Sequence, residues 1–122
     1  MSQPEQPASD LAARRQEMTA EMERTAFQKK AVSRSSANDT LDDAIAFFTE
    51  RGYRANRTGR PNQIYVMGGR EGKLPRVNAE IRAQENVGKG KVTMLTISGF
   101  GELLSTHLES YVQHLRGKRS SN

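Results

Sequence analysis

The chain of 122 residues is long enough for one domain with tails, and its hydrophobic content of 34% falls below the roughly 45% of an ordinary globular domain. It contains no cysteine, which excludes disulfide staples and thiolate metal sites and fits a reducing, cytoplasmic setting. No apolar run approaches the roughly 18 residues of a transmembrane helix, and MSQPEQPASD has neither the basic start nor the apolar stretch of a signal peptide. A soluble protein with no membrane partner is expected.

The formal net charge of +5 is unevenly spread. Residues 53–91 hold nine basic and three acidic residues, whereas residues 39–52 hold one basic and four acidic. A cationic stretch of this kind suits an anionic partner.

Residues 1–38 read as a flexible N-terminal segment. Residues 1–9 are rich in Pro, Gln and Ser and are expected to be disordered. From Asp10, a potential cap, good helix formers predict a polar helix over about 10–32. Its apolar side is thin, with Leu11, Met18 and Met22 at helical spacing, so it frays alone and orders against its own domain or a protein partner. Met18 and Met22 are therefore candidate protein-interface residues. SRSSAND (33–39) reads as a linker.

A single α+β domain is expected over 39–116. In DTLDDAIAFFTERGY, Leu41, Ala44, Ile45 and Phe48 share one helical face, Asp39 or Thr40 caps the start, and Gly52 supplies the stop. YRANR (53–57) and QIYVM (63–67) form a hairpin through TGRPN, and GGREGKLP (68–75) is a loop. RVNAEIRAQ (76–84) alternates Val77, Ala79, Ile81 and Ala83 with polar residues, and KVTMLTIS (91–98) is a fourth strand. Leu104, Leu108, Tyr111, Val112 and Leu115 then make a helical stripe ended by Gly117, and 117–122 is a disordered basic tail. The pattern predicts a two-layer α+β fold, order (α)-α-β-β-β-β-α, with helices on one face of a four-stranded antiparallel meander.

The glycines of TISGFGELL (96–104) lack the third glycine of a dinucleotide fingerprint, since Leu104 stands in its place, and no P-loop Gly-Lys-Ser/Thr run follows. They read as a strand-to-helix corner. His107 and His114 are about two helical turns apart, too far to share a metal ion. Asp42 and Asp43 diverge on their helix, and Glu80 is expected to pair with Arg76 and Arg82. No catalytic residue, cofactor or metal site emerges, and the protein reads as non-catalytic.

Alternation leaves a second sheet face that carries arginines, amides, Tyr65, Met67 and Met94. One reading is a nucleic-acid surface for single-stranded or structured nucleic acid. Arg54, Arg76 and Arg82 would meet phosphates, Tyr65 would offer a stacking platform, and Arg57, Arg60, Arg70 and Lys73 would widen the basic rim. The other is a protein interface, with Met67 and Met94 at its apolar centre, in a homodimer or an assembly module ordered on a partner by the N-terminal helix. A unit of this size has a marginal core, which favours dimerisation.

Overall fold

The computed structural model describes residues 6–120. Among them, three helices and five strands follow in the order α1 (Gln6–Arg24), β1 (Phe27–Ser33), α2 (Ala37–Glu50), β2 (Arg54–Arg57), β3 (Gln63–Gly68), β4 (Val77–Val87), β5 (Val92–Phe100) and α3 (Glu102–Ser120). The period-2 pattern sets the sheet: Ile64, Val66, Val77, Ala79, Ile81, Leu95 and Ile97 are all buried beneath α2 and α3. Strands β2 to β5 form an antiparallel meander, and the spatial order is β1-β5-β4-β3-β2. Strands β1 and β2, consecutive in the chain, thus occupy opposite edges, and α2 crosses the sheet between them.

The sheet has five strands rather than the four predicted. The N-terminal helix stops at Arg24 instead of continuing to residue 32, and Phe27–Ser33 pairs along β5 from Phe27↔Gly99 to Ser33↔Thr93. Thr25 ends the helix: its hydroxyl donates to the Glu21 carbonyl at 2.7 Å and accepts from the Gly101 amide at 2.9 Å. The sheet therefore recruits residues read as helix and flexible segment. Helix α2 also starts earlier than predicted. The Ser36 hydroxyl, not Asp39 or Thr40, caps it by accepting from the Asp39 amide at 3.0 Å, and the Glu85 carboxylate accepts from the Ala37 amide. Gly52, with φ of +92°, ends its final turn as expected. Helix α3 passes through Gly117 to Ser120. Residues 6–9 and 117–120, predicted to be disordered, are therefore helical, and the rest of the predicted disorder, at residues 1–5 and 121–122, lies outside the described residues.

The core between helices and sheet centres on Leu41, Phe48, Leu104, Leu108, Tyr111 and Leu115. Phe47 meets Phe48 and Tyr111 edge-on, both at 5.0 Å between ring centroids. Each large side chain removed from water contributes roughly 1.5–3 kcal/mol.

TISGFGELL forms the predicted corner. Gly101 adopts φ of +112°, and a Cβ there would lie 2.5 Å from Val77 Cγ1. At Gly99 a Cβ would fall 2.6 Å from that of Ala79 and 2.8 Å from the Asn78 carbonyl oxygen. The first α3 amides are already occupied: the Glu71 carboxylate accepts from Leu103 at 2.9 Å and from Leu104 at 3.1 Å. A carboxylate from a distant loop thus fills the position where an anion would otherwise sit.

Gly99→Ala and Gly101→Ala should each lower stability by about 2 kcal/mol or more through overpacking. Gly117→Ala, in open space within a helix, should raise it by up to about 1 kcal/mol. Urea unfolding of the three variants checks this, and equal effects at all three positions would refute a sterically closed corner.

Candidate nucleic-acid interface

The two faces of the sheet differ in charge. On the helix side the charged groups find partners: Arg57 with Asp42 at 2.8 Å, Lys118 with Asp43 at 2.9 Å, and Lys29 with Glu109. At the α1 end, Arg24 bridges Glu21 at 2.6 Å and Glu102 at 2.8 Å. These are exposed pairs that add little to stability, but they cancel the local charge.

Among the described residues, no helix covers the other face. Register places its residues in rows across the strands. Arg54, Met67, Asn78 and Phe100 form one row. Asn56, Tyr65, Glu80, Ser98 and Gln28 form the next, and Gln63, Arg82, Thr96 and Lys30 the third. Arg76 lies one pleat step before Asn78. Among the described residues Lys30, Arg54, Arg76 and Arg82 form no ion pair, and Glu80 is the single acid among them. The expected pairing of Glu80 with Arg76 and Arg82 does not occur, and Glu80 stands opposite Tyr65 and Ser98.

With strands about 4.8 Å apart and residues rising about 3.3 Å, Arg54 and Arg82 are separated by roughly 16 Å along a diagonal. Tyr65 lies on that diagonal, 46% exposed, and its ring contacts no other aromatic among the described residues. Met67 beside it is 41% exposed, and Met94 is half-buried further along.

Of the residues proposed from sequence, the structure gathers Arg54, Tyr65, Arg76 and Arg82 with Met67 and Met94 on this face. Arg60 is exposed in the turn between β2 and β3, and Arg70 in the loop after β3. Arg57 is not part of the face. Its position in β2 is the opposite phase to Arg54, and its guanidinium also binds Asn38 Oδ1 at 2.8 Å. Lys73 is directed to Glu17 of α1 at 3.9 Å. Met18 packs against the domain's own core, whereas Met22 is exposed. Lys30 and Asn78 are further residues of the face that were not proposed as binding residues. Lys30 belongs to the unpredicted strand, and Asn78 carried no signal beyond its alternation.

Other ionisable groups cluster on the helix layer. His114 Nε2 lies 3.1 Å from Asp43 Oδ2 and stacks on Tyr111, and His107 packs edge-on to Tyr53. No three potential metal ligands converge among the described residues. No described helix is long and apolar enough to cross a membrane. The Tyr111 hydroxyl donates to the Thr40 carbonyl at 3.3 Å in the core.

The chain matches no protein family, and no curated protein and no solved structure is detectably similar to it.

Burial, and then the Asp43 carboxylate, hold the Tyr111 phenol well above its ordinary value of 10.0. A folded-state pKa raised in this way gives stability that is complete below pH 10 and lost as pH rises past it. Tyr111→Phe should flatten that alkaline loss while costing about 1 kcal/mol at neutral pH. Unfolding midpoints from pH 7 to 11 check the prediction, and an unchanged alkaline slope in the variant would contradict it.

Proposed function

We propose that this protein is a non-catalytic nucleic-acid-binding module that holds single-stranded or structured nucleic acid on its open sheet face. The carrying observation is the segregation of charge, with Lys30, Arg54, Arg76 and Arg82 unpaired on the helix-free face and the ion pairs concentrated on the other side. Low-dielectric sheet beneath these cations strengthens their attraction for phosphate. Exposed Tyr65 and Met67 supply surfaces on which bases rest without sequence discrimination, since every base has a π face. Arg60 and Arg70 extend the cationic rim.

The test is binding of labelled single- and double-stranded DNA and RNA at low and near-physiological salt. Affinity should fall with salt, with a logarithmic slope of about −0.7 for each phosphate neutralised on a single strand. Reversing Arg54, Arg76 and Arg82 together to Glu should abolish binding with the circular dichroism spectrum unchanged, because none of the three holds the fold together. Retained binding in that variant would remove the sheet face from the proposal.

A second reading rests on α1. Residues 10–17 of this helix are exposed, Met18 being its contact with the core, and Leu11 and Met22 are 50% and 39% exposed. An unpartnered helix of this kind suits a protein-interaction or assembly role, including a homodimer. Because Met18 serves the chain's own core, Leu11→Asp with Met22→Asp is the clean variant. Light scattering should show the assembly reduced to monomer without loss of thermal stability. A wild-type chain that is already monomeric would refute the homodimer.

A further inference from the structure

At one corner of the open face, beneath the loop of residues 69–76, lies a cleft of about 560 Å³, within the size range of small-ligand sites. Arg54, Met67, Arg76 and Asn78 line it, with the Gly68–Gly69 backbone and Pro75 forming its end wall. No carboxylate is among its lining residues. We infer that this cleft is a phosphate-monoester site, which takes the terminal phosphate of a nucleic-acid strand or of a free nucleotide. This inference rests on the open face being a nucleic-acid surface.

The charge count distinguishes the monoester from the internal diester. An internal phosphate carries one negative charge, whereas a terminal monoester carries close to two at neutral pH. Here two arginines, Arg54 and Arg76, line one cleft, and neither has an ion-pair partner among the described residues. Two like charges lining a single cavity repel each other unless an anion of comparable charge sits between them. Arginine also offers forked donors that match phosphate oxygens pairwise, which a point-like ammonium does not.

The remaining walls fit the rest of a nucleotide. Arg54, Met67 and Asn78 share one row across β2, β3 and β4, so their side chains are neighbours about 5 Å apart. The Asn78 amide presents both a donor and acceptor for a base or sugar edge, and Met67 presents apolar surface. A Cβ at Gly69 would meet nothing within 4 Å, so the backbone there is approachable. The loop is held from the far side, since Glu71 is anchored to the α3 amides. A strand following the diagonal from Lys30 and Arg82 past Tyr65 therefore ends against a wall.

The experiment compares one oligonucleotide sequence bearing a 5′-phosphate, a 3′-phosphate or hydroxyl ends, using the full chain and anisotropy at fixed salt. A parallel arm titrates a nucleoside monophosphate and orthophosphate by NMR. One phosphorylated end should bind roughly tenfold tighter than the hydroxyl form. Arg54→Ala and Arg76→Ala should each erase that increment while retaining part of the hydroxyl-form affinity, and Arg82→Ala should weaken all forms alike. Equal binding of phosphorylated and hydroxyl strands would overturn the monoester site and leave the open-face reading intact. Binding of the monophosphate, lost in Arg54→Ala, with no oligonucleotide binding would overturn the face reading and assign the cleft to free nucleotides. Absence of all binding would overturn both.

Discussion

The architecture depends on the close approach of backbones where β5 turns into α3. At Gly99 and Gly101 the chain passes so near to Val77, Asn78 and Ala79 that no side chain fits. That approach brings three separate segments together. Thr25 accepts from the Gly101 amide and, through its own carbonyl, from the Ser105 hydroxyl at 2.6 Å, which fixes the exit of α1. Glu71 reaches the first α3 amides from the loop after β3. Each of these bonds links residues far apart in sequence, so the corner ties local elements into one tertiary unit. The same loop, on its opposite side, forms a wall of the arginine-lined cleft.

Helix caps and ion pairs on the helix layer follow one electrostatic scheme. Glu71 and Glu85 stand at the positive ends of α3 and α2, where a carboxylate is stabilised by the aligned peptide dipoles. Asp42, Asp43 and Glu109, all on the helices, neutralise Arg57 of β2, Lys118 of α3 and Lys29 of β1. Acidic residues are consumed by these tasks, and the surplus of arginine is left to the uncovered face. A basic composition thereby becomes a directional field, positive on the uncovered side of the sheet.

Much of this was legible in the sequence where a single periodicity ruled. The alternation in β3, β4 and β5 identified both faces, because the inward positions are mostly apolar, Ile64, Val66, Val77, Ile81, Leu95 and Ile97 among them, while most outward positions in β4 are polar. The stripe from Leu104 to Leu115 identified the face of α3 for the same reason. β1 was hidden because its inward positions include Lys29, whose ammonium escapes the core to reach Glu109, and because good helix formers precede it. The caps from Glu71 and Glu85 were invisible, since sequence distance conceals a partner more than thirty residues away. Arg57 was read as part of the basic rim, although the period in β2 already sets it opposite to Arg54, on the side where it pairs with Asp42. Counting charges along the chain obscured a distinction that counting phase reveals.

The two outermost strands carry a further consequence, for solubility. An unpaired strand edge is a template on which another chain can add its own backbone, the first step towards aggregation. β2 is only four residues long and has arginine at both ends, while β1 carries Lys29 and Lys30 at its centre. Each added strand would bring its like charges against these, and their repulsion opposes growth of the sheet in the plane. Both edges thereby resist the in-plane addition of a second copy of the chain.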